Sequence, residues 1–178
     1  MLTHLSFGLR RALCGPILGT FVTNYSCNYR CKMCDLPLKE KAIKDKGLSE
    51  LSAQQLKGLL KDFSILGVSG VGFTGGEPLL RADIFELLSY AKSLGMITHL
   101  NTNGFFLDDA KIREILNAGV DSINISLDGA SPQTHNAIRG SRGAFEKVVS
   151  AVDLLNIRRK ENKSNIRLKV VSVISEEN

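Results

Sequence analysis

Tryptophan is absent from the chain, aromatic residues make up only 6%, and 178 residues hold just three His, four Pro and four Cys. No apolar run approaches the ~20 residues that a helix needs to cross a bilayer, so the sequence calls for no membrane partner. Charge of neither sign dominates: 23 Lys and Arg stand against 18 Asp and Glu, a net charge of +5. The cations are scattered and form no stripe, so the electrostatic footprint of a nucleic-acid binder is missing. Nor do we expect an export signal. Arg10 and Arg11 precede Cys14, but only Ala12 and Leu13 lie between them, where such a signal needs an apolar stretch. We read residues 1–15 as an amphipathic arm, with Cys14 as a small packed residue, residues 16–178 as one core domain, and the cytoplasm as the default location. The 43% hydrophobic and 23% charged content suits a globular domain with a sizeable core.

What is present alternates. Ile17–Thr23, Val68–Thr74, Ile97–Asn101, Ser122–Ser126 and Ile166–Ile174 are apolar, β-branched stretches that read as strands. Amphipathic segments between them read as helices. Ser52 to Gln55 form a capping box and Asp108 is a second cap; Gly67, Gly95 and Gly119 each follow an apolar-periodic run as a helix-ending glycine would. A last helix runs from about Ala144 to Arg158. Residues 38–50 read as a charged, solvated loop. The expected fold is α/β: a partial (β/α) barrel of parallel strands with right-handed crossovers, about five strands and four helices. The fifth strand is apolar on both faces and no helix follows it. Uncovered, it would associate through its edge, so we expect an N-terminal fragment of a longer protein.

Three of the cysteines, Cys27, Cys31 and Cys34, are spaced C-x3-C-x2-C directly after the first strand. A structural zinc site wants four protein ligands, and neither a second cysteine pair nor a nearby His is present: His4, His99 and His135 are dispersed. Three thiolates can instead hold three irons of a cubane cluster and leave the fourth open. The spacing favours iron–sulfur over zinc, and zinc stays open. Other unusual segments fall on the same rim. Gly75-Gly76-Glu77-Pro78 follows the second strand, Asn101 to Gly104 end the third, and Ser126-Leu127-Asp128-Gly129 end the fourth. Active sites of βα barrels gather at these strand ends.

In this order and spacing, from about Ile17 to the C-terminus, these motifs resemble the radical S-adenosylmethionine (SAM) superfamily. The resemblance implies a [4Fe–4S] cluster on Cys27, Cys31 and Cys34 whose open iron takes the amino and carboxylate groups of SAM. It implies that Gly75, Gly76 and Glu77 receive the methionine ammonium, that Asn103 and Ser126 lie beside SAM, and that Arg139 pairs with its carboxylate. Met33 stands where the family commonly has an aromatic residue against adenine. The family's barrel has six strands and helices, of which this chain supplies a part. The implied chemistry is reductive cleavage of SAM to a 5′-deoxyadenosyl radical, fed by a donor such as flavodoxin or ferredoxin. Ser126 to Ala130, followed by His135 and Ile138 to Phe145, look like the branch that carries a C-terminal cluster-binding extension and modifies peptides or tetrapyrroles. The alternatives are the branch that cyclises GTP for molybdenum cofactor, and a non-catalytic metal-binding scaffold.

Overall fold

The computed structural model describes residues 16–178; the expected arm and Cys14 lie outside them. Strands β1 (Leu18–Val22), β2 (Gly70–Thr74), β3 (Ile97–Thr102), β4 (Ser122–Ser126) and β5 (Arg167–Val171) form one sheet in sequence order. Every neighbouring pair is parallel. Six helices accompany them: α1 (Leu36–Asp45), α2 (Ala53–Ile65), α3 (Ile84–Ser93), α4 (Asp109–Asn117), α5 (Pro132–Arg139) and α6 (Ala144–Glu161), with a 3-10 turn at Pro78–Leu80. Right-handed crossovers that always step in the same direction put their helices on one face. The strand residues on that face, among them Phe21, Val71, Phe73, Leu100, Ile123 and Ile125, are buried against Leu60, Leu87, Ile112, Ile115, Val148 and Leu155 of the helices. This burial is the main stabilising term, worth ~1.5–3 kcal/mol for each large side chain. The opposite, inner face of the arc carries no helix.

The helix punctuation follows the sequence. Ser52 and Gln55 make the reciprocal capping box of α2, and the Asp108 carboxylate accepts from the Lys111 amide to start α4. Gly67, Gly95 and Gly119 take φ of +78°, +78° and +69° after α2, α3 and α4.

Two helices exceed the expectation. Residues 38–50 are not a loop throughout, because Leu36–Asp45 is helical with no buried residue. Its first turn carries Pro37, and it is laced by four-residue ion pairs, Asp35–Lys39, Glu40–Lys44 and Lys41–Asp45, which support an exposed helix. Helix α5 starts on a Ser131 cap with Pro132 in its first turn and ends on Gly140 at φ +60°. Strand β5 is shorter than Ile166–Ile174 and is not apolar on both faces, because Arg167 and Lys169 alternate with Leu168 and Val170. At Ser172 its hydroxyl turns to the Leu127 carbonyl, and the Val173 amide donates to the Asp128 carboxylate.

Candidate active site

The cysteine loop is held from two sides. On one side the Gly76 amide donates to the Asn24 carbonyl and the Glu77 amide to the Ser26 carbonyl, each at 2.9 Å. The Asn24 side chain returns a hydrogen bond of 2.9 Å to the Glu77 carbonyl. A Cβ on Gly76 would lie 2.1 Å from the Ser26 carbonyl oxygen, and one on Gly75 would lie 2.5 Å from that of Asn24. These glycines are therefore needed for backbone to meet backbone, a role that their sequence position alone did not separate from close approach to a ligand. On the other side the Lys32 amide donates to the Ile138 carbonyl at 2.9 Å and the Arg30 amide to that of Arg139 at 3.3 Å. Gly140 completes this contact, since a Cβ there would lie 2.4 Å from the Arg30 carbonyl oxygen. The end of α5 thus fixes the loop between Cys27 and Cys34.

The three thiols line one cavity of about 400 Å³. Met33, Gly75, Gly76, Asn103, Ser126 and Arg139 line the same cavity, so nearly all the residues singled out in the sequence come together. Met33 is half-exposed at its mouth. N–H groups converge on the sulfurs. Cys27 Sγ receives the Tyr29 amide at 3.4 Å and Asn103 Nδ2 at 3.8 Å, and Cys31 Sγ receives Arg139 Nη1 at 3.7 Å. Burial pushes both thiols above their usual pKa, against these donors. A bound metal reverses that balance by deprotonating its thiol ligands outright. Donors aimed at sulfur suit thiolates more than thiols, so the residues present fit an iron–sulfur cluster. Among the described residues no three His, Cys, Asp or Glu side chains converge on a single ion position.

Glu77 is set apart. It is fully buried and does not line the cavity; its carboxylate lies behind the glycine wall and takes three donors. Oε1 accepts from the Leu79 amide at 3.1 Å and the Thr102 hydroxyl at 2.8 Å, and Oε2 from the Asn103 amide at 2.8 Å. Burial still raises its pKa, outweighing those hydrogen bonds. Glu77 therefore ties the ends of β2 and β3 together and sets the backbone of Asn103, whose side chain reaches Cys27 and, at 2.8 Å, Asn28. The isosteric Glu77→Gln must turn an NH2 toward one of those donors. Urea unfolding is expected to show a loss of ~1–3 kcal/mol, the cost of a buried group left without its partner. Stability equal to wild type would remove this role.

Three functional neighbours escaped the sequence reading. Tyr29 is buried against the cavity, and among the described residues its hydroxyl has no partner. Asp128 is buried with its Oδ2 2.6 Å from Arg139 Nε, although the pair is not aligned for a hydrogen bond. His135 is fully buried, and its Nδ1 accepts from the Asp128 amide at 3.0 Å. Asp128 and His135 stood in quoted motifs, but only the packing of α5 against the strand ends shows that they hold Arg139.

Burial pushes the His135 pKa below 6.5, with the Arg139 cation adding to the effect, and burial lowers His99 likewise. At these two groups the folded protein binds fewer protons than the unfolded chain. This stability is present above pH 6.5 and is lost as pH falls through the depressed folded values. Thermal melts are expected to show Tm dropping below that pH, and His135→Asn, which keeps an acceptor for the Asp128 amide, to flatten part of the drop. An unchanged slope in the variant would clear His135 of it.

The sequence profile of the Radical SAM superfamily matches residues 21–170. The AdoMet-dependent heme synthase of Oleidesulfovibrio alaskensis is 38% identical over 130 residues, 73% of this chain and 32% of that protein. The PqqA peptide cyclase of Rhizobium meliloti is 34% identical over 123 residues, 69% of this chain and 32% of that protein. The chain thus spans about a third of the length of these curated relatives. Among solved structures, Streptococcus suis SuiB bound to its precursor peptide SuiA superposes with a TM-score of 0.72 at 20% identity, covering 92% of this chain and 35% of SuiB. That likeness speaks for the fold alone. Superfamily members are enzymes that carry iron–sulfur clusters and bind AdoMet, and no helix among the described residues is long and apolar enough to cross a membrane. Profile, relatives and fold agree with the cysteine loop and its glycine wall: the chain belongs to the radical SAM superfamily.

Proposed function

We propose that Cys27, Cys31 and Cys34 hold a [4Fe–4S] cluster and that SAM binds beside it, for radical modification of a peptide or tetrapyrrole-type substrate. The observation that carries this reading is the single cavity shared by the three thiols with Asn103, Ser126 and Arg139. Bound there, the cluster and SAM would supply one-electron cleavage of the S–C5′ bond and a 5′-deoxyadenosyl radical.

The chain's own residues position and shield. Arg139, braced by Asp128 and touching Cys31 through one terminal nitrogen, keeps the other to meet the SAM carboxylate. The Gly75–Gly76 backbone would face the methionine ammonium. Glu77, buried behind that wall, shapes the site through the backbone of Asn103, whose amide it accepts. Asn103 and Ser126 would flank SAM, and Met33 would lie against adenine. N–H groups on the cluster thiolates would tune its potential. The thiols Cys27, Cys31 and Cys34 are free, which suits a reducing cytoplasm with a flavodoxin or ferredoxin as electron donor. The heme synthase and the peptide cyclase among the relatives support the two substrate classes.

The test is anaerobic incubation of the reconstituted chain with SAM and dithionite. 5′-Deoxyadenosine is expected from wild type and none from Cys31→Ala. A protein that takes up zinc but no iron, and forms no 5′-deoxyadenosine, would make it a metal-binding scaffold.

A further inference from the structure

The run that opens on Gly75 and Gly76 closes on Arg81, a residue outside the cysteine cavity. Arg81 stands at the exit of the Pro78–Leu80 turn with its side chain largely buried. The carboxylate of Asp83, the residue that leads into α3, takes its Nε at 2.5 Å and its Nη2 at 2.9 Å. Such a two-point pairing fixes the plane of the guanidinium, which the single ammonium of a lysine cannot imitate. Two of the N–H groups that remain grip backbone. Nη1 donates to the Thr23 carbonyl at 2.9 Å and Nη2 to the Leu51 carbonyl at 2.8 Å.

Those two carbonyls bound the segment that carries the cysteines. Thr23 follows β1 and Leu51 precedes Ser52, the cap of α2. Cys27, Cys31, Cys34 and α1, which buries nothing, lie between them. One guanidinium thus holds both ends of a long connection. It also extends the row of contacts ahead of Cys27, where the Thr23, Asn24 and Ser26 carbonyls accept from Arg81, Gly76 and Glu77. The far end of the segment ties back to the same stretch. Glu50 accepts from the Tyr25 amide and Glu40 of α1 from the Ser26 hydroxyl, each at 2.9 Å.

We propose that Arg81 is a positioning residue for the metal centre, a clasp that closes the cysteine-bearing segment at its base and keeps the three thiols ordered for ligation. The proposal rests on the radical SAM reading for the identity of the metal and adds what retains it. Groups that are already ordered lose less conformational freedom on binding. With the clasp open, the segment is anchored less firmly at both ends, and each thiolate lets go of its iron more readily.

The test follows iron passing from the anaerobic, cluster-loaded chain to a ferrous chelator. Arg81→Gln and Arg81→Lys are expected to release it about tenfold faster than wild type, the scale of one charge-assisted hydrogen bond. Asp83 makes no side-chain cap to α3, so Asp83→Asn reads the orientation of the guanidinium and should act in the same direction by less. Ile112→Val, in the core of α4, should lower Tm and leave release unchanged, which separates positioning from general loss of stability. Millimolar guanidinium ion should restore slow release to Arg81→Gly, and ammonium should not. Release at the wild-type rate in Arg81→Gln and Asp83→Asn, or equal acceleration in Ile112→Val, would overturn the clasp. Cobalt(II) titration, read at the thiolate charge-transfer band, keeps the two readings apart. Weaker cobalt binding in Arg81→Gln beside a wild type that takes up no iron sinks the cluster alone. A stable wild-type cluster released no faster from Arg81→Gln sinks the clasp alone.

Discussion

Gly76→Ala is expected to empty the metal site although it removes no ligand. The new Cβ would lie 2.1 Å from the Ser26 carbonyl oxygen, 2.6 Å from its carbon and 2.8 Å from the Tyr25 carbonyl oxygen. All three are backbone atoms, so no side-chain rotation relieves the overlap. Either the Gly-Gly turn or the segment just ahead of Cys27 must move by an ångström or more. Both routes break the hydrogen bonds from Gly76 and Glu77 to that segment. Overpacking of this kind costs ~1–3 kcal/mol, and a triplet displaced at its first member no longer matches a rigid cluster. Reconstitution should leave iron at a small fraction of wild type, with a lower Tm. Gly58→Ala is the matched control: inside α2, where a Cβ meets nothing within 4 Å, alanine should raise stability by ~0.5–1 kcal/mol and leave iron unchanged. Full loading in Gly76→Ala would mean that the turn does not hold the loop.

Removing a ligand should act as completely. Wild type reconstituted with iron and sulfide is expected to bind about four irons per chain, and Cys27→Ala, Cys31→Ala and Cys34→Ala to fall near zero. The three positions are unequal in the fold, since Cys27 and Cys31 are partly buried and receive N–H donors while Cys34 is exposed. Equal loss at all three would therefore reflect ligation rather than packing. Iron and sulfide determination checks it, and a Cys34→Ala protein that keeps its full load would remove Cys34 from the ligand set.

Much of this arrangement was legible in the residues. Strand positions followed from apolar β-branched runs and helix ends from Ser52, Asp108 and three glycines, because these signals act through local backbone physics. The charged helix at Leu36–Asp45 was not, since it buries nothing and so has no apolar stripe to read; its only mark is acid–base pairing at four-residue spacing. Helix α5 is short, and its buried His135 and Ile138 give too little period to detect. Apart from Arg139 at the end of α5, the site residues that share the cavity stood in contiguous motifs at strand ends. Glu77 could be named but not placed, because whether a carboxylate faces a cavity or the gap between two strand ends depends on Thr102 and Asn103, 25 and 26 residues on. Asp128 and His135 stand near in sequence, yet their hold on Arg139 exists only after α5 folds back over the cysteine loop.

The three-cysteine loop is expected to present a cluster with one iron open to SAM. The direct measurement is pulsed EPR of the reduced, reconstituted chain with SAM labelled by 15N at its amino group. SAM is expected to alter the cluster spectrum, and hyperfine coupling to the label to appear, as direct coordination requires. A cluster spectrum that is identical with and without SAM, and free of that coupling, would contradict it.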